Sequence, residues 1–149
     1  MNIVKANIED SIILTDITFL SKAYWGYSAE QMKIWRPQLV LTEDYILKNN
    51  VFCLHIKEEI IGYFSWFEKE EVTAKLDNLF LLPNYIGMGY GKYLMDTFMR
   101  QTKLQGYKIL ELDADPNATK FYAKFGFKTI GQLKTSTKDR YLPIMQLNL

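Results

Sequence analysis

The sequence predicts a three-layer α/β domain in which a mixed, mostly antiparallel central sheet is flanked by helices. Three observations predict it: strand-like runs are broken by helical ones without strict alternation, a charged turn joins two of those runs as a hairpin, and the last two runs enclose a polar loop. With 149 residues, 48% of them hydrophobic, the chain has the size and apolar content to bury one core without staples, so residues 1–149 read as a single domain.

Asn2 to Ala6 starts the chain with a short strand. From about Asp10, Ile13, Leu14, Ile17, Leu20 and Tyr24 recur at helical spacing and predict a first amphipathic helix. Ser28 and Gln31 have capping-box spacing, and Pro37 restricts Arg36, which bounds a second helix at Ala29 to Trp35. A further helical turn covers Glu43 to Lys48 and stops at Asn49 and Asn50. Val51 to Ile56 reads as a strand, Lys57 to Glu59 as a turn, and Ile60 to Phe67 as the hairpin partner. Thr73 to Leu82 makes the next strand. The helix after it, Gly89 to about Gln105, turns Leu94, Met95, Phe98 and Met99 inward and has Gly106 near its end. Lys108 to Asp113 alternates as a strand, and Asp115 followed by Pro116 is a helix start, an N-cap oxygen before proline at the first helical position. That helix extends to Phe125 and Gly126 ends it. Phe127 to Gln132 and Tyr141 to Asn148 are the last two strands.

Lysine and arginine number 18 against 17 acidic residues, a formal charge of +1, so no global field draws in nucleic acid or an anionic membrane. One cysteine, Cys53, excludes an internal disulfide framework, and one histidine, His55, leaves too few soft ligands for a zinc site of the usual kind; no metal is expected. Met1 to Ala6 has no basic region leading into an apolar stretch, and no window approaches the roughly 20 apolar residues of a membrane span. The expectation is a cytoplasmic protein.

The most informative stretch is Leu76 to Leu94, LDNLFLLPNYIGMGYGKYL, an apolar strand that meets Gly87, Gly89 and Gly91 and then a helix. Glycine lets backbone N–H groups approach an anion, and a helix N-terminus adds unpaired donors and a partial positive charge, so this is phosphate-binding chemistry. A P-loop would need Ser or Thr after Gly91-Lys92, where Tyr93 stands. A dinucleotide fold expects its glycines after the first strand and at another spacing. Lys92, in the first helical turn, either pairs with a phosphate or points into water.

LFLLPNYIGMGYGKYLM, followed downstream by PNATKFYAKFGF, resembles motifs A and B of the GNAT N-acetyltransferase superfamily in order and spacing, over roughly Ala74 to Gly131. The resemblance implies acetyl-CoA as co-substrate. Backbone groups of Phe80, Leu81 and Leu82 would pair with its pantetheine arm like an added strand, and the N–H groups of Gly87, Met88, Gly89, Tyr90, Gly91 and Lys92 would hold its pyrophosphate. Tyr122 matches the motif B tyrosine that faces the thioester sulfur in many members. A phenol of pKa near 10 is protonated at neutral pH and can donate to a thiolate of pKa about 8.5.

The attacking amine must lose a proton, and Asp77 on the strand before the loop is the candidate base, given burial or a water chain. Glu68, Glu70 and Glu71, placed in a loop, are alternatives. Two positions depart from the family pattern. Ile86 stands where motif A usually has Arg or Gln, and Asp115 stands where Asn is frequent, which leaves Asn117 as the amide candidate for a cofactor contact. Tyr24, Trp25, Tyr27 and Trp35 crowd a segment that often covers the acceptor in this family, although such rings are ordinarily core. Cys53 and His55 read as structural. Arg140, Leu142 and Pro143 could close over an acceptor.

The expected activity is transfer of an acetyl group to a primary amine by direct attack in a ternary complex. The acceptor is a small-molecule or peptide amine that the sequence does not specify. A non-catalytic acyl-CoA-binding or regulatory module of the same fold is the alternative, and a homodimer through the final strand or an exposed aromatic surface is compatible with either.

Overall fold

The computed structural model describes residues 1–149. Seven strands, β1 (Asn2–Lys5), β2 (Asn50–Ile56), β3 (Glu59–Glu70), β4 (Thr73–Leu81), β5 (Ile109–Asp113), β6 (Lys128–Lys134) and β7 (Tyr141–Asn148), form one sheet in the order β1-β2-β3-β4-β5-β7-β6. Five helices accompany them: α1 (Ser11–Ala23), α2 (Ala29–Trp35), α3 (Glu43–Lys48), α4 (Tyr90–Leu104) and α5 (Thr119–Ala123). The β1–β2, β2–β3, β5–β7 and β6–β7 pairings are antiparallel and β4–β5 is parallel, the mixed and mostly antiparallel sheet expected. The chain divides into two compact units: residues 1–66 with 78–99, and residues 67–77 with 100–149.

In the first unit β2 and β3 form the hairpin, Asn50 opposite Trp66 and Ile56 opposite Glu59, with Lys57 at a φ of 57° in the turn. Strand alternation sorts their side chains. Val51, Cys53 and Tyr63 join Leu14, Ile17, Leu41 and Ile46 in one cluster, against which Tyr45, Phe80 and Leu82 pack. Phe64 and Trp66 instead meet Phe98 of α4, at ring separations of 6.0 and 6.2 Å. Each fully buried side chain of this size stabilises the unit by about 1.5–3 kcal/mol.

The buried stripe of α1 is Leu14, Ile17, Thr18 and Ser21, so the apolar periodicity was only partly a guide, and Ile13, Leu20 and Tyr24 lie outward. The Thr18 hydroxyl can sit inside because it is bonded: Oγ1 donates to Leu14 O at 2.7 Å and also pairs with the Tyr63 hydroxyl. Ser28 caps α2 by accepting from Gln31 N–H at 3.1 Å, and Thr42 caps α3 by accepting from Tyr45 N–H at 3.0 Å. Burial, with a smaller contribution from the Asp10 charge, pushes the Cys53 thiol up to about 12, so it is an inert core group.

In the second unit β4 and β5 run parallel from Thr73 opposite Ile109 to Leu76 opposite Leu112. Glu111, 3% exposed, is held by Lys69 at 2.6 Å, Lys75 at 3.7 Å and a hydrogen bond from Gln146 at 2.8 Å. Burial alone would raise its pKa, but these donors and charges outweigh it and hold the carboxyl below the ordinary range. Lys75 also meets Asp113 at 2.8 Å. Glu68 and Glu70 lie on β3 rather than in a loop, and Glu68 accepts from the Tyr107 hydroxyl at 2.9 Å.

The last helix differs from expectation in form. Pro116–Ala118 is a 3-10 turn, α5 covers only Thr119–Ala123, and Phe125 and Gly126 close the end through bonds to Tyr122 O and Ala123 O. The Asp115 side chain takes the N–H of Asn117, two residues on, which tightens the first turn.

Candidate active site

The first unit carries the glycine loop. Leu82, leaving β4, donates its N–H to Ile61 O at 2.8 Å and accepts at its oxygen from Tyr85 N–H at 2.9 Å. Both of its backbone groups are therefore taken. Strand alternation sends those of Phe80 toward β3 as well, and Phe80 O lies only 2.8 Å from where a Gly62 Cβ would stand. Of the three residues expected to pair with a pantetheine arm, this edge leaves Leu81. Phe80 and Leu82 are corrected to packing residues, with both side chains against the unit's core.

Beyond Pro83, Gly87 and Gly89 adopt φ of +81° and +88°, which a side chain would strain. A Cβ at either position would meet nothing within 4 Å, so the loop presents bare backbone with room beside it. The first bond of the α4 ladder runs from Tyr93 N–H to Gly89 O at 3.2 Å, which places the N–H groups of Tyr90, Gly91 and Lys92 ahead of the ladder. This cradle fits an anionic ligand. Lys92 does not simply point into water: its ammonium pairs with Asp96 one turn on, with side chains 70% and 44% exposed.

The second unit carries the motif B residues. Tyr122 is buried, its ring 5.1 Å from that of Phe121 and 6.1 Å from that of Phe127. Burial, aided by the Asp115 charge, drives its phenol well above the usual tyrosine range, so it stays protonated. Asp115 accepts at one oxygen from the Asn117 N–H at 2.9 Å and from its side-chain amide at 3.0 Å. The Asn117 amide is thus already engaged by Asp115, which weakens its candidacy as a cofactor contact. The other Asp115 oxygen meets Arg140 at 3.3 Å, so Arg140 packs against the turn. Asp77 is exposed on β4, so of the two conditions for its role as base burial is not met and a water chain is left.

The first unit carries both Leu81 and residues 87–92; the second gathers Asp115, Asn117, Tyr122 and Arg140. Sequence reasoning missed one contributor and gave a second another role. Gly62 interrupts a β-branched and aromatic run, and a lone glycine there is a signal of close backbone approach. Arg140, named only for closing over an acceptor, instead meets Asp115, a partner 25 residues away that no local signal shows.

The aromatic segment does not line the cavity found in the first unit. Tyr27 packs edge-on against Trp35 at 4.8 Å with the Lys22 ammonium over both rings. The cavity, about 220 Å³, is lined by Thr15, Asp16, Phe19, Leu20, Arg36 and Leu39, with the Arg36 guanidinium 4.7 Å from the Phe19 ring centre. No group of three or more His, Cys, Asp or Glu side chains is arranged to hold a metal ion, and no helix is long and apolar enough to cross a membrane.

Comparison with known proteins shows the family and the fold. Over 60 residues the chain is 33% identical to a Bacillus subtilis (strain 168) protein named as an acetyltransferase, a stretch that is 40% of this chain and 41% of that protein. The chain spans about half the length of the curated relatives it matches. The fold matches a GCN5-related N-acetyltransferase from Rhodopseudomonas palustris (TM-score 0.83, 22% identity, 99% of this chain and 95% of that one). It also matches the PaiA N-acetyltransferase from Thermoplasma acidophilum in complex with coenzyme A (TM-score 0.81, 22% identity, 99% and 98%). The model of the acetyltransferase (GNAT) domain matches residues 26–147, through the glycine loop and Tyr122 alike, and the chain belongs to that family.

Proposed function

We propose that this protein transfers the acetyl group of acetyl-CoA to a primary amine by direct attack within a ternary complex. The observation that carries the reading is the loop at Gly87 and Gly89, whose positive φ and open surroundings expose backbone donors at the head of α4. Acetyl-CoA supplies a thioester, whose carbon–sulfur bond breaks as the carbon–nitrogen bond forms.

Residues 87–92 bind the pyrophosphate through backbone N–H groups, and Leu81 offers its main chain to the pantetheine and the acetyl carbonyl. Tyr122, kept protonated by burial, gives its proton to the departing sulfur. The amine proton passes to water, with exposed Asp77 as its relay. Ile86 supplies no charged or polar side chain to the phosphates, which puts the binding on the backbone. That feature also favours the second reading, an acyl-CoA-binding module without turnover.

A panel of small amines, amino acids and peptides is incubated with the protein and acetyl-CoA, following thiol release. Acceptor-dependent release is expected. Thermal stabilisation by acetyl-CoA without release by any acceptor would leave the binding module standing instead, and neither response would sink both readings.

A further inference from the structure

Arg140 stands in the connection from β6 to β7, outside both family motifs, yet its backbone is tightly fixed. Thr135 donates to Arg140 O through its N–H at 3.1 Å and its hydroxyl at 3.0 Å, and Arg140 N–H donates to Thr137 O at 3.2 Å. The Thr137 N–H returns to the Thr135 hydroxyl at 3.2 Å, closing the turn on itself. From this base the side chain, 16% exposed, reaches Asp115, which is 12% exposed.

Asp115 acts in two ways. One oxygen closes the Pro116–Ala118 turn through Asn117, and that turn runs directly into the helix carrying Tyr122. Its negative charge also acts on the Tyr122 phenol. A bare carboxylate there would oppose proton donation twice, by making the phenol a weaker acid and by repelling the negative charge growing on sulfur. The resembling family often has neutral Asn at this position, which would need no counter-ion. Asp115 needs one, and Arg140 supplies it across a recessed contact where charge is poorly screened.

We propose that Arg140 is a positioning residue for the proton donor: it locks the Asp115 turn that leads into Tyr122 and offsets part of the Asp115 carboxylate charge. The proposal rests on the reading of Tyr122 as the acid. Arg140 acts through Asp115 rather than on the sulfur or the amine. It keeps Asp115 usable as a cap while limiting how far its charge weakens Tyr122 as a donor.

The test compares Arg140→Gln and Arg140→Lys, each alone and combined with Tyr122→Phe or Asp115→Asn. Turnover is thiol release from saturating acetyl-CoA to the best amine of the panel or, without one, to water. Arg140→Gln should lower kcat about tenfold while the acetyl-CoA dissociation constant stays within about twofold, and Arg140→Lys should restore most of the loss. Adding Asp115→Asn to Arg140→Gln should also restore turnover, because the uncompensated charge is gone; this pair serves equally should the single Gln variant fold poorly. On the Tyr122→Phe background Arg140→Gln should cost nothing further.

A readout independent of turnover is the ζ-carbon resonance of Tyr122 in the ligand-free, tyrosine-labelled protein, assigned by its loss in Tyr122→Phe. It should move in Arg140→Gln and return in Arg140→Lys, while that of exposed Tyr24 stays fixed. An unmoved Tyr122 resonance, or an equal loss of turnover with and without Tyr122, overturns the proposal alone. Normal turnover by Tyr122→Phe overturns the acid reading and takes the proposal with it.

Discussion

The glycine loop and the Tyr122 turn fold by different means. The loop owes its shape to backbone conformation: Gly87 and Gly89 at positive φ, proline before them, and a helix start behind. The turn owes its shape to side chains brought from elsewhere, since Asp115 is fixed by Asn117 on one oxygen and by Arg140 on the other. Their units repeat the contrast. Lys48–Asp44 and Lys92–Asp96 in the first are exposed helical i,i+4 pairs, whereas in the second Lys69 reaches the buried Glu111 and Arg140 meets a recessed Asp115, partners distant in sequence. A region built from backbone should bind, and one built from placed side chains should govern rate.

Substitutions in the two regions should therefore move different constants. Tyr122→Phe should lower kcat by about 10² to 10⁴ with acetyl-CoA affinity within about twofold of the parent, measured by initial rates and calorimetry. A matching fall in affinity would erase the distinction between the regions. Stability offers the next largest effect. Glu111→Ala removes the buried carboxylate that Lys69, Lys75 and Gln146 share, and chemical denaturation should show a loss of about 1.5–3 kcal/mol.

The same carboxylate fixes the sign of a pH effect. Its folded pKa lies below the unfolded value of about 4.3, so its stabilisation is full above that value and fades as pH falls through the folded pKa. Glu111→Gln should accordingly flatten the acid limb of stability against pH. Cys53 in the first unit works in the opposite direction: with its thiol raised from 9.0 to about 12, its contribution is full below pH 9 and disappears as pH climbs toward 12. At about 1.4 kcal/mol per pH unit, the alkaline loss would approach about 4 kcal/mol, and Cys53→Ala should soften it.

How much of this was legible in the sequence follows the same division. Helices α2 and α3 were readable to the residue because Ser28 and Thr42 cap them locally, and β7 because its apolar run has clear ends. The loop was readable because glycine spacing is itself the structural cause. Local pattern could not show that Leu82 spends its N–H on Ile61, that Thr18 rather than Leu20 faces the core, or that Arg140 answers Asp115. Each of those facts is a meeting of residues from separate elements, and periodicity along one element does not encode it.

Gly89→Ala probes the backbone half directly. A φ of +88° is poorly tolerated by a Cβ even though nothing crowds it, so the cost is conformational, about 1–2 kcal/mol. If the loop is the binding element, acetyl-CoA affinity should fall about five- to thirtyfold while kcat at saturation changes little. A fall in kcat with affinity intact would transfer the catalytic role to the loop.

The smallest effect concerns Lys92, the one charged side chain among the loop's binding candidates. Its pair with Asp96 is exposed on both sides, and such helical pairs contribute only about 0.3–0.5 kcal/mol, so Lys92→Ala should barely alter the melting temperature. So weak a pair is easily exchanged for a phosphate, and an anion there would also relieve the opposition between a cation and the helix N-terminus. Lys92→Ala should therefore weaken acetyl-CoA binding about two- to fivefold at low salt, with the difference gone at high salt where exposed charges are screened. Unchanged affinity at low salt would assign the phosphate entirely to backbone donors, the purer form of the contrast with the Tyr122 turn.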